Sequence, residues 1–129
     1  AGLTKDIQIE KGKAVYLQTC FVCHQPNGMG VPGQIPPLAG SDFLAQHKED
    51  AIRAVVIGRT GELTVNGKTY KGTMIPLNYL TDEQIANVVT YVRNAWGNTG
   101  DAATVNDVAK IRADAATSLP PAGKPSQFE

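Results

Sequence analysis

Apolar positions recur at helical spacing in four stretches of the chain and alternate in a fifth. The clearest stretch opens at Thr81, with Asp82 and Glu83 in a first turn and Gln84 at the capping-box position. Ile85, Val88, Val89, Val92 and Trp96 then fall at i, i+3, i+4, i+7 and i+11, a single stripe that predicts a helix ending at Gly97. Residues 7–19 set Ile7, Ile9, Val15, Tyr16 and Leu17 among Lys, Glu and Gln, with Gly12 in the middle. Glycine costs a helix interior about 1 kcal/mol relative to alanine. Either another helix comes close at Gly12, or the helix starts late, near Glu10. Tyr16 and Gly12 are expected to face the stripe that follows Thr81.

Between these two helices, Ser41-Asp42 caps a short turn through Phe43 and Leu44, and Ala51, Ile52, Ala54, Val55, Val56 and Ile57 mark a helix over 48–57 that stops at Gly58. Leu63 to Tyr70 alternates around Asn66-Gly67, which predicts a small hairpin. Gly72 to Leu77 reads as extended, since Pro76 biases Ile75 away from helix. Residues 25–40 hold four Gly and four Pro, a shaped loop of the length that usually carries function. Past Gly97 the pattern weakens. Thr104 to Asp107 offers a cap, Val105, Val108, Ala109 and Ile111 a short helix to about Ala115, and Ser118 to Ser126 a Pro-rich linker or tail. The expected organisation is one domain over 1–98 and an extension over 99–129, with no internal repeat.

Composition limits what such a chain does. With 129 residues, 42% hydrophobic, the polypeptide builds a modest core that a bound apolar group would complete. Twelve basic and twelve acidic side chains are mixed along it, so nucleic acid finds no electrostatic footprint. No stretch reaches the ~18 apolar residues of a membrane span. The start at Ala1-Gly2-Leu3 is one that signal removal would leave, though not that alone, and the periplasmic location expected rests more on the cysteine–histidine chemistry that follows.

The chemistry concentrates in Cys20-Phe21-Val22-Cys23-His24, a C-x-x-C-H run. Two thiols three positions apart on one helical turn point the same way and reach neighbouring vinyl groups of one porphyrin. The imidazole that follows then lies over the iron. Cys20 and Cys23 are read as tethers of one haem c and His24 as its proximal ligand. Two other readings stay open. A redox dithiol calls for a preceding strand, and none precedes Cys20. A zinc site calls for a further ligand, most simply His47. A backbone carbonyl near Pro36 is placed to take the Nδ1 proton of His24 and leave Nε2 for iron.

A six-coordinate haem needs a ligand from the other face. Met29 follows His24 too closely to cross the porphyrin edge and is expected at the rim, while His47 sits in a polar run that reads as a solvated helix start. Met74, fifty residues beyond His24 in a Pro-flanked loop, fits a strap across the distal face. Thioether sulfur raises the potential. The alternative is that Met74 only fills a gap in the core.

Together, Cys20-x-x-Cys23-His24, Pro36-Pro37-Leu38-Ala39-Gly40, Met74-Ile75-Pro76 and Tyr91-Val92-Arg93-Asn94-Ala95-Trp96-Gly97 resemble a class I cytochrome c over about residues 8–97. The resemblance implies an all-α fold, three to five helices around one covalently bound haem, with a small β-hairpin near 63–70. It implies that the first and last helices of the domain cross near Gly12, Tyr16 and Val89, that Leu38 packs on the porphyrin and that Pro36 supplies the carbonyl for His24. Family members commonly have Met-Pro where this chain has Met74-Ile75-Pro76. The hairpin, the Trp96 ending and the extra helix are similar to cytochrome domains associated with periplasmic enzymes, haem-tethered copper nitrite reductases and membrane dehydrogenase subunits among them. This chain has no copper-site residues of its own.

The function expected is one-electron transfer between redox proteins by a monomer, not catalysis. Val22, Pro26, Met29, Val31, Ile35 and Ile75 are candidates for an apolar rim at the exposed haem edge. Redox encounters bury little area, and zero net charge predicts modest salt dependence. The same chain as a tethered module of a larger enzyme would share this chemistry. A five-coordinate haem that binds gas or peroxide, with Asn78 or Tyr79 as distal donor, would not.

Overall fold

The computed structural model describes residues 5–20, 28–31, 35–74 and 76–118, without the side chains at 60, 72, 73 and 116–118. Five helices and one two-stranded antiparallel ribbon make up the described elements. The order is α1 (Lys5–Thr19), α2 (Asp42–Gln46), α3 (Lys48–Ile57), β1 (Arg59–Val65), β2 (Lys68–Met74), α4 (Asp82–Val92) and α5 (Val105–Ser118). The all-α reading holds.

α1 is one unbroken helix from Lys5, and Gly12 is buried against α4. A Cβ at Gly12 would lie 2.0 Å from the Asn87 carbonyl oxygen and 2.7 Å from Tyr91 Cβ. Only hydrogen fits there, which is the reason for a glycine in mid-helix. One turn on, Tyr16 is fully buried, its ring centroid 5.5 Å from Tyr91 and 5.2 Å from Trp96. Burial, with Cys20 and Tyr91 adding to it, pushes the Tyr16 phenol well above its ordinary range.

α4 begins as expected, with the reciprocal capping box between Thr81 and Gln84 complete. It ends at Val92, however, five positions before Gly97. The Arg93 side chain is drawn inward to Leu44 and Asp101, and Asn94 N–H turns back to Tyr91. Trp96 takes a left-handed φ of +54° that folds its indole onto Tyr16. The indole also lies on Gly28, where a Cβ would come within 2.7 Å of the ring.

The ribbon is longer than the hairpin expected over 63–70. It pairs Arg59 with Met74 at its base and Val65 with Lys68 at its tip, around Asn66-Gly67. Both ends are anchored. At the tip, Asp42 and Asn66 each donate a backbone N–H to the other's side-chain oxygen, at 3.0 and 2.9 Å. At the base, Gly58 lets the chain pass so close that a Cβ would sit 2.4 Å from the Met74 carbonyl, and Leu77 N–H reaches Val55 at 2.7 Å.

α5 packs on both α3 and α4, burying Val108, Ile111 and Ala115. Thr104 and Asp107 cap it reciprocally at 3.0 Å. The lead-in is fastened too. Ala103 N–H donates to Thr90 Oγ1 at 2.9 Å, and the Ala103 carbonyl accepts from Gln8 at 2.8 Å. The Pro-rich stretch from Leu119 on lies outside the described residues.

Candidate haem site

An apolar cavity of about 280 Å³ opens between the end of α1, the 35–38 segment, α2, α3, the inner face of the ribbon and α4. Close-packed interiors tolerate voids of about one water, which takes ~10–15 Å³ by the same measure. A site this large with walls of Leu38, Phe43, Val55, Leu63, Leu77 and Val89 suits a bulky apolar group rather than solvent.

Four of the six residues singled out from the sequence lie in its wall: Cys20, Pro36, Leu38 and Met74. Cys20 is buried one residue past α1, its N–H bonded to the Tyr16 carbonyl at 2.9 Å and its Sγ 3.3 Å from Thr19 Oγ1. Pro36 and Leu38 are half-buried in a pinched loop. Val31 and Ile35 pair their backbones, Leu38 N–H donates to the Gly28 carbonyl at 2.6 Å, and Asn98 Nδ2 donates to the Leu38 carbonyl at 2.8 Å. Gly30 lies so near Ile35 and Pro36 that a Cβ would sit 2.3 Å from the Ile35 carbonyl oxygen. Met74 closes β2, half-buried, on the rung shared with Arg59. Cys23 and His24 lie outside the described residues, as do Val22, Pro26 and Ile75 of the expected rim.

The other candidates sort by position. Met29 is 57% exposed and is not among the residues that line the cavity. His47 stands at the junction of α2 and α3 with a half-exposed ring 3.7 Å from Asp50, and it does not line the cavity. Tyr79 is 69% exposed. Among the described residues no group of three or more His, Cys, Asp or Glu side chains gathers to hold a metal ion.

The inner face of the ribbon was not anticipated. Arg59, Gly61, Leu63 and Val65 alternate along β1 and, with Tyr70 and Met74 of β2, line the cavity. The period-2 pattern was present in the sequence but began four residues earlier than Leu63. Arg59 Nε is buried without a hydrogen-bond partner among the described residues, an orphaned cationic donor on a mostly apolar wall. A planar macrocycle with acidic substituents fits such a site.

The cytochrome c family model matches residues 9–96, and with it the chain belongs to the cytochrome c family, an electron-transfer protein whose cofactor is covalently bound haem c. The chain is 38% identical over 111 residues to cytochrome c-552 of Thermus thermophilus, covering 79% of this chain and 84% of that one. It is 32% identical to the cytochrome c subunit of the quinone alcohol dehydrogenase of Gluconobacter oxydans and 30% identical to the gluconate 2-dehydrogenase cytochrome c subunit of Pantoea cypripedii. These matches cover 85% and 87% of this chain but only 23% and 26% of the two subunits. Among the described residues no helix is long and apolar enough to cross a membrane.

Proposed function

We propose that this chain is a periplasmic one-electron carrier in which Cys20 and Cys23 tether the haem, His24 and Met74 ligate its iron, and Pro36 and Leu38 form its proximal wall. The observation that carries the reading is the apolar cavity with Cys20 and Met74 both in its wall. When bound, haem supplies a metal couple that accepts and returns one electron without making a bond to a substrate. The chain does the rest.

Cys20 sits one residue past α1, which Gly12 and Tyr16 hold close against α4, so the tether hangs from a tightly packed helix contact. The pinched loop fixes the segment around Pro36, whose carbonyl would accept the His24 Nδ1 proton and leave Nε2 to hold the iron. Met74 offers a soft thioether from a ribbon anchored at both ends, and that favours the ferrous state. Apolar walls exclude water, so little solvent must reorganise when the charge changes.

Redox proteins are the partners. The finer proposal is a periplasmic oxidoreductase, either a dehydrogenase such as those whose cytochrome subunits this chain is similar to or a copper nitrite reductase. The share of those subunits covered, about a quarter, also favours a second reading, a haem module tethered within a larger enzyme. A tether supplies a partner at about millimolar effective concentration and makes a strong docking face unnecessary.

Optical spectroscopy tests the assignment. The ferric protein is expected to show the weak near-infrared band of His/Met haem, and the ferrous protein to ignore carbon monoxide. Met74→Ala is expected to lose the band, bind carbon monoxide and fall in potential. A wild-type protein that lacks the band and binds carbon monoxide at once would have an open distal face, and the carrier reading would be withdrawn.

A further inference from the structure

We propose that Arg59 binds a carboxylate of the haem periphery and, as a cation held beside the distal ligand, raises the reduction potential. The proposal rests on the haem reading above and concerns a residue to which that reading gives no part.

Register is the first argument. Arg59 and Met74 are directly opposed on the ladder, so their side chains leave the same face of the ribbon as immediate neighbours, and both line the cavity. The rung that presents the sulfur therefore presents a guanidinium.

Burial is the second. Among the described residues Arg59 Nε has no hydrogen-bond partner and no carboxylate forms an ion pair with this side chain. The two other arginines that hold elements together are fully engaged. Arg93 donates to Leu44, Ala45 and Asp101, and Arg112 to Asp82, Asn78 and Leu80. Arg59 instead leans on Phe43, its Cζ 5.6 Å from the ring centroid, which holds the guanidinium against the cavity wall. A buried, unmet donor on a half-buried cation is costly, and the described residues offer it no anion.

Chemistry names the acceptor. A guanidinium presents a planar fork of donors matched to a carboxylate, and haem brings carboxylates on its propionate arms into a site that otherwise holds almost none. Inside low-dielectric walls the pair acts on the iron. With Arg59 in place the carboxylate charge is compensated; without it, a bare anion near the metal favours Fe(III).

The test is the reduction potential of the holoprotein and of three variants, with haem content and the near-infrared band recorded for each. Arg59→Gln is expected to keep haem and band while its Fe(II)/Fe(III) ratio at fixed poise falls about tenfold, or about 59 mV for a one-electron couple. Arg59→Lys should retain most of the wild-type potential. Lys71→Gln, which removes an exposed cation of the same ribbon, should leave it unchanged. An unaltered potential in Arg59→Gln overturns the proposal and leaves the haem assignment standing. So does a wild-type potential that follows the choice of chloride or phosphate at constant ionic strength, since the acceptor would then be a solvent anion. If Arg59→Gln does not hold haem, a crystal structure of the wild-type holoprotein decides: a propionate on Arg59 Nε supports the pairing, and propionates directed elsewhere refute it. A wild-type chain without haem removes both readings.

Discussion

At Gly12 the α1 and α4 backbones touch through a single hydrogen. An added methyl would meet the Asn87 carbonyl oxygen at 2.0 Å, and that oxygen belongs to a helix that cannot turn aside. Gly12→Ala gains helix propensity but forces the helices apart, and overpacking of this kind costs about 1–3 kcal/mol. We expect Gly12→Ala to lower the stability read from chemical denaturation by about 1–3 kcal/mol. A variant as stable as wild type would mean that α1 slides freely on α4. From the sequence, Gly12 had two readings, a close approach or a late helix start. The choice needed Asn87, 75 residues away, which no local pattern points to.

Whole elements show the same division. Capping motifs are local chemistry, so the starts of α2, α4 and α5 were legible at Ser41, Thr81 and Thr104. The end of α4 was not. Apolar spacing carries the stripe through to Trp96, but Arg93, buried on Leu44 and Asp101, stops the helix and leaves Trp96 to cover Gly28 and Tyr16. From α5, in the expected extension, Arg112 reaches to Asp82 and to the Asn78 and Leu80 carbonyls, the segment that links Met74 to α4. Arg112→Ala is expected to cost about 1–3 kcal/mol, as loss of a charge-assisted set does. It should also speed amide hydrogen exchange in residues 77–82 while leaving the α1–α4 contact protected. Uniform acceleration throughout the chain would show instead that α5 supports the fold as a whole.

For the molecule as a whole, Asp101 is a junction. It takes Arg93 at 2.6 Å and Lys48 at 2.9 Å, joining the end of α4, the start of α3 and the lead-in to α5. The hydrogen bond from Arg93, then that from Lys48, lowers the Asp101 carboxyl to about 2 from its ordinary 3.8. A depressed acid stabilises the fold above its unfolded pKa, and that contribution is lost as pH falls through the folded one. The window is therefore about pH 4 down to about 2. Because Asp101 is largely exposed, we expect only about 1 kcal/mol to be lost across it. Asp101→Asn should flatten this acid limb in denaturation curves recorded from pH 5 to 2. An acid limb identical to that of the wild type would place the acid sensitivity elsewhere.

The sequence alone determined whatever depends on neighbours along the chain: where helices start, the Asn66-Gly67 turn, the spacing of Cys20, Cys23 and His24, and the family those motifs point to. It also pointed to Cys20 and Met74 by chemistry and spacing and to Pro36 and Leu38 with the help of the resemblance, and the cavity has all four in its wall. Only the tertiary structure decided that Gly12 is a helix contact, that Trp96 leaves its helix, and that Arg59 shares a rung with Met74 inside an apolar site. Each depends on groups that folding brings together from distant parts of the chain. Whether a side chain is orphaned or satisfied depends on what surrounds it, and the described residues supply no acceptor to Arg59 Nε.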